Sequence, residues 1–311
     1  MDEPLVTIII PSFNHGEYLE EAIQSVLNQT YQSIELIIVD DGSTDNSHEV
    51  ASRYADHPKV KVILNNENRG QSAVINQALE IANGEFVSFL PSDDWYLPEK
   101  TELQVKKFGT LGTEYGVVYG KGARYFSENG VTQVIKLPTH RGNVLKEMLT
   151  VGNFVYPITP MFRRTCLASE LFDERFKALG EAIYNVLAID HKFDFIDAVV
   201  GVMRNHGSNV GKDPDLRIYQ DSLTFWEEFF DRSELPRSVR RFKGRRIGKI
   251  HKTKGLSRII YHRDYRQGRR ILFRAIKSSP KFISDPKVWL GLSISLMPRG
   301  FANRVLNRRY G

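Results

Sequence analysis

The chain has 311 residues and a mass of 35.7 kDa, with 41% hydrophobic and 26% charged residues, which excludes collagen-like, low-complexity and wholly disordered chains. Its single cysteine, Cys166, cannot form an intrachain disulfide, so a reduced cytoplasm is the default compartment. The net charge of +6 is segregated: residues 232 to 311 hold 23 Lys and Arg against three acidic residues, whereas residues 1 to 231 hold 20 against 34. An acidic body is followed by a basic tail.

Asp2 and Glu3 open the chain in place of the basic start of a secretory signal. Four apolar, β-branched runs follow, Leu5 to Ile10, Ile34 to Val39, Val60 to Leu64 and Phe86 to Leu90, spaced as in βαβ units with a parallel sheet buried on both faces. Between the first two, Leu19, Ala22, Ile23, Val26 and Leu27 trace one helical stripe, with Asn14 and Glu17 spaced as a capping-box variant. A second crossover is expected from Asp45 and Asn46. A third carries Val74, Ala78 and Ile81 and stops at Asn83-Gly84. After Trp95 the rhythm breaks into Tyr115 to Tyr119, Lys121 to Phe126 and Val131 to Ile135, the last two joined by an Asn129-Gly130 hairpin, so the sheet is expected to become mixed. From about Ser233 the chain turns to Arg- and Lys-rich helical segments punctuated by Pro280, Pro286 and Pro298, which places a boundary near residue 232. Residues 1 to 107 and 108 to 232 would form two halves of the α/β body, and residues 233 to 311 a helical tail. The longest late apolar stretch, Val288 to Met297, has ten residues, about half of the ~20 that span a bilayer, and no transmembrane helix is expected.

In an open parallel sheet, ligands bind beyond the carboxyl ends of the strands. The loops there read Pro11-Ser12-Phe13-Asn14, Asp40-Asp41-Gly42-Ser43, Asn68-Arg69-Gly70 and Ser92-Asp93-Asp94. Each alone is also an ordinary turn or helix cap. Together they bring carboxylates and a guanidinium to one sheet edge, a set suited to a divalent cation and a phosphate. Asp40 suits hydrogen bonds to a base or ribose and mildly favours uracil or thymine over guanine.

The segments Thr7 to Asn14, Ile38 to Asp45, Asn68-Arg69-Gly70 and Asp93-Asp94-Trp95, in that order, resemble the family-two glycosyltransferases of GT-A fold, over about residues 4 to 210. The resemblance implies an α/β fold with a mixed sheet flanked by helices. It also implies transfer of a sugar, with inversion, from a nucleotide-diphosphate sugar to a glycan or lipid-linked acceptor, assisted by Mn²⁺ or Mg²⁺. Pro11 and Ser12 would line the base and ribose pocket, Asp40 would bind the base, Arg69 would lie near the phosphates, and Asp93 would meet ribose or metal. Asp94 would be the principal metal ligand, and His206, in Arg204-Asn205-His206-Gly207, would complete the metal or diphosphate site.

On the acceptor side, Phe172 to Phe176 followed by Gly180-Glu181 resembles the segment where the family usually places Glu-Asp, the aspartate acting as base. Here the pair reads Glu181-Ala182. Alanine accepts no proton, so either Glu181 is the base, Asp173 reaches in, or activity is impaired and the chain is a donor-binding or scaffold protein. In the tail, Arg pairs alternate with Ile259, Ile271, Leu272, Ile276 and Trp289, the pattern of amphipathic helices at an anionic membrane surface, which puts the protein at the inner face of the cell membrane; the alternative is that the apolar stripes pack on the catalytic domain and the charges are solvated. No nucleic-acid signature accompanies the charge, and no glycine-rich dinucleotide turn follows the first strand.

Overall fold

Strands β1 (Val6–Ser12), β2 (Ile34–Asp40), β3 (Val60–Leu64) and β4 (Phe86–Phe89) lie parallel in the order β3-β2-β1-β4. They are continuous apolar runs because both sheet faces are covered. Ile8, Ile10, Leu36 and Ile38 pack with Leu19, Ile23 and Val26 of helix α1 (Gly16–Leu27) on one side. Ile9, Ile37, Val39 and Val87 pack with Val74 and Ala78 on the other. The crossovers are α1, α2 (Ser47–Ser52) and α3 (Gln71–Ile81). The computed structural model describes residues 3–167, 172–176, 182–206 and 216–310.

Beyond β4 the sheet is mixed, as the broken rhythm implies. The two-residue β5 (Trp95–Tyr96) and helix α4 (Lys100–Phe108) precede one long strand, β6 (Tyr115–Phe126), where two were expected, and the hairpin strand β7 (Val131–Val134). Helix α5 (Leu145–Thr150), β8 (Met161–Arg163), α6 (Ala182–Asp190) and β9 (Lys192–Asn205) follow. β8 runs antiparallel to β4 and β6, β9 runs parallel to β6, and β5 closes the sheet antiparallel to β9. This last pairing matters for the site, because it sets Trp95 opposite Val202 and so brings the end of β9 to the Asp93-Asp94 loop.

The chain divides into two units, residues 1–211 and 212–311. The division precedes the shift in charge near 232. Helix α7 (Leu216–Asp231) packs with α9 (Lys243–Ile260), beyond the short α8 (Arg237–Arg240): Tyr219 Oη lies 2.7 Å from His251 Nδ1, and the Arg246 guanidinium sits 4.2 Å from the Trp226 ring centre. The second unit continues with α10 (Tyr265–Ser278), α11 (Pro286–Leu296) and α12 (Arg299–Tyr310), around its own core of Ile259, Leu272, Val288, Leu292 and Leu306. Facing Gly255 and Gly268 let α9 and α10 meet backbone to backbone; a Cβ on Gly268 would stand 2.8 Å from the Gly255 carbonyl oxygen. No helix among the described residues is long and apolar enough to cross a membrane.

Candidate active site

The ends of β1, β2, β4 and β9 in the first unit meet through a run of side-chain contacts. At β2, Asp40 is fully buried, its Oδ1 accepting from Ser43 N at 2.9 Å and its Oδ2 from Ser43 Oγ at 2.7 Å. His48 Nε2 lies 3.3 Å from Asp40 Oδ1. Asp41, also buried, accepts from Arg69 N and Gly70 N, both at 2.8 Å, and so clamps the Arg69 loop from below. Gly42 between them has φ +72°, and a Cβ there would come within 2.6 Å of the Glu67 backbone. The Arg69 residue is exposed on this loop.

At β1, Ser12 pairs in register with Asp40 and is buried, and its Oγ has no hydrogen-bond partner in the structure. Asn14 takes a left-handed conformation, φ 54°, which asparagine tolerates. It does not form the expected capping box: its Oδ1 accepts from Thr44 N at 2.8 Å, while Asp45 Oδ2 accepts from Gly16 N in the first turn of α1. Asp45 Oδ1 also takes Ser47 N and Oγ at the start of α2. Burial pushes the Asp45 carboxyl up, but these donors outweigh it and hold the group below its ordinary range.

His15, next in the chain, turns toward β4, its Nδ1 at 2.9 Å from Ser92 Oγ and 4.0 Å from Asp93 Oδ1. Asp93 Oδ2 in turn lies 3.1 Å from His206 Nε2, just past β9. Ligand atoms of His15, Asp93 and His206 all fall within 4.8 Å of one another. Two imidazole nitrogens and one carboxylate suit a borderline ion such as Mn²⁺ better than Mg²⁺, which prefers oxygen. The residues therefore fit a divalent cation. Asp94, assigned to the metal from the sequence, is not in this group: it is buried and its Oδ1 accepts from Arg204 N at 2.8 Å. Burial first, then the like charge of Asp93, push its carboxyl well above the usual aspartate range. By holding the Arg204 backbone it sets the position of His206 two residues on.

Arg204 completes the wall. Its Nε donates to the Asp93 carbonyl at 3.2 Å, its guanidinium pairs with Glu21, and it lies 4.8 Å from the ring centres of both Tyr18 and Trp95. Tyr18 in turn packs on the His206 ring, centroids 4.9 Å apart. Beneath the loop, Lys100 is buried with its Nζ donating to Gln104 Oε1 at 2.6 Å and Ser88 Oγ at 3.2 Å, and burial lowers its pKa to about 7.

Residues 7–168 match the family model for Glycosyl transferase family 2. The chain belongs to that family. EpsH of Bacillus subtilis, named as a glycosyltransferase, is 36% identical over 132 residues, 42% of this chain and 38% of EpsH. TuaG of the same organism, named for teichuronic acid biosynthesis, is 40% identical over 105 residues, 33% of this chain and 42% of TuaG. The matches thus span about two fifths of these relatives. Among solved structures, S. aureus TarS 1–349 in complex with UDP superposes with a TM-score of 0.66 at 18% identity, covering 98% of this chain and 89% of that one. The mannosyltransferase PcManGT from Pyrobaculum calidifontis, in complex with GDP-Man and Mn²⁺, gives 0.58 at 17% identity, covering 99% and 85%. The fold is GT-A, as the sequence resemblance implies.

Within this family-2 chain, Ser12 stands in register with Asp40 and Asp93 lies against His206. Glu181 and Gly180 lie outside the described residues. Asp173 is held by Arg175, whose Nε donates to Oδ2 at 2.9 Å, and this pairing keeps its carboxyl below the ordinary range, which suits an ion-pair partner better than a base. Sequence reasoning missed His15, whose only signal is an imidazole directly after Asn14 in a strand-end loop. It also missed Asp41, Asp45 and Arg204, whose partners come from distant segments.

Proposed function

We propose that the chain is an inverting glycosyltransferase that moves a sugar from a nucleotide-diphosphate sugar, UDP or dTDP by preference, to a glycan or lipid-linked acceptor in surface polysaccharide biosynthesis. The observation that carries this reading is the convergence of His15, Asp93 and His206 from three strand ends, beside a buried Ser12 Oγ with no hydrogen-bond partner. Pro11 and Ser12 line the base and ribose end, with Asp40 forming its floor through Ser43. The forked guanidinium of Arg69, on the exposed loop that Asp41 clamps, reaches the diphosphate. A cation held by His15, Asp93 and His206, Mn²⁺ or Mg²⁺, would neutralise charge on the leaving diphosphate. Glu181 takes the proton of the acceptor hydroxyl. The basic second unit keeps the protein, cytoplasmic and peripheral, at an anionic membrane surface where lipid-linked acceptors reside.

Mn²⁺-dependent release of nucleoside diphosphate, measured across UDP-, dTDP- and GDP-sugars with and without lipid-linked acceptors, tests the reading. Release from a UDP- or dTDP-sugar is expected, and no release from any donor would overturn it. Glu181→Gln should lower turnover ~10² to 10⁴-fold while leaving donor affinity nearly unchanged. Ala182, standing where the family usually places the base, favours a second reading as a donor-binding protein without turnover; calorimetric donor binding without release would select it.

A further inference from the structure

Most apolar stripes of the basic tail are spent on the second unit's own core: Ile259, Leu272, Val288 and Leu292 are all buried there. Phe273 of α10 and Phe301 of α12 are exposed as single residues, whereas helix α11 carries a second apolar face. Its inner face packs in that core, and a Cβ on Gly291 would meet Leu256 and Leu272 at 2.7 and 2.9 Å. Its outer face carries Trp289, Ser293 and Leu296, one above another at i, i+4 and i+7, with Trp289 50% and Leu296 70% exposed. Trp289 Nε1 donates to the Ile283 carbonyl, which holds the indole beside a third exposed apolar side chain, Ile283. Large apolar side chains exposed together on one face mark an interaction surface.

The charge around this face selects the partner. Lys281, Lys287 and Arg299 are exposed on the segments that flank the stripe. The three acidic residues after residue 231 are engaged within the unit: Asp285 pairs with Lys252 at 2.7 Å and caps α11, Asp264 caps α10, and Glu234 lies 3.7 Å from Arg232. An indole and two aliphatic side chains on segments that also carry exposed cations match a bilayer interface with anionic headgroups. With 11 residues, α11 is ~16 Å long, against ~30 Å of hydrocarbon, so it lies in the interface plane.

We propose that the outer face of α11, with Ile283, Trp289 and Leu296, inserts into the surface of an anionic lipid bilayer. The proposal rests on the membrane-surface part of the proposed function and adds the residues that enter the lipid.

Flotation of the full chain with vesicles of phosphatidylcholine containing phosphatidylglycerol, and with phosphatidylcholine alone, tests it alongside Trp289→Ser/Leu296→Ser. The wild type should float with the anionic vesicles only. The double variant, whose changes are exposed and should leave the melting temperature in place, should lose at least about tenfold in bound fraction. Brominated lipid should quench part of the wild-type tryptophan emission, and Trp289→Ser should abolish that quenching. Equal flotation of variant and wild type would overturn the assigned face while leaving the membrane reading intact. Failure of the wild type to float would overturn both, without touching the glycosyl-transfer assay. A concentration-dependent dimer that the double variant dissociates would reassign the face to self-association and overturn the proposal.

Discussion

Two Asp-Asp pairs stand at the ends of parallel strands in the first unit, and they do opposite work. Asp40 and Asp41, after β2, spend their oxygens on loop donors: the Ser43 amide and hydroxyl, and the amides of Arg69 and Gly70. In the pair after β4, Asp94 is committed to backbone, through Arg204 N, while Asp93 faces the imidazoles of His15 and His206. An aspartate pair at a strand end is therefore a statement about position. Which of its carboxylates can meet a ligand depends on how many backbone N–H groups nearby lack another partner.

The largest expected effect comes from breaking the second pair at its ligand-facing member. Asp93→Asn keeps the shape and removes the charge, and metal-dependent donor turnover should fall by roughly 10² to 10³-fold with the unfolding midpoint in urea unchanged. An equal loss from Asp94→Asn with no change in stability would erase the distinction drawn within this pair. In the first pair the consequence should be structural: Asp41→Ala strands two backbone donors and should cost about 2 to 3 kcal/mol in the unfolding free energy from urea titration. A variant of wild-type stability would show that the Arg69 loop holds without the clamp.

Position was legible in the sequence because it follows from hydrophobic patterning. The runs at Leu5, Ile34, Val60 and Phe86 mark strands buried on both faces, since alternate residues such as Ile8 and Ile9 enter separate cores. Partners were not legible. The bond that separates Asp94 from Asp93 comes from Arg204, across a strand pairing no local pattern encodes. Likewise Asn14 and Glu17 have capping-box spacing, yet the Gly16 amide is met by Asp45 from the next loop. In the tail, stripe periodicity at Ile259 and Leu272 is real but cannot say whether the stripe meets a bilayer or another helix; the facing Gly255 and Gly268 decide for a helix.

The floor beneath the second pair supplies a smaller test. Lys100 lies 4.3 Å from the ring centre of Tyr96, two residues after Asp94. With its pKa lowered to about 7 against an ordinary 10.5, the folded chain binds fewer protons than the unfolded chain between these values, so this group makes stability rise with pH across that window. Below it, the buried ammonium is charged in both states and its desolvation cost is carried in full. Lys100→Met should remove a slope of up to about 1.4 kcal/mol per pH unit, seen as a stability difference from wild type that changes steadily between pH 7 and 10. A flat difference would mean that Lys100 stays charged in the folded state.

The smallest effect sharpens the structural side of the comparison. Asp45 caps two helices at once, through Gly16 N and through Ser47 N and Oγ. Asp45→Ala should cost about 1 kcal/mol, the usual worth of a helix cap. Because the folded pKa is held below the ordinary 3.8, the unfolded chain takes up the proton first as pH falls. The contribution is therefore whole above about pH 4 and fades as the pH drops through the folded value. Urea titrations of wild type and variant at pH 7 and pH 3 should show the gap narrowing. If Asp45→Ala instead leaves stability alone and suppresses donor turnover, the first loop is catalytic machinery after all, and the two strand ends differ less than their hydrogen bonds imply.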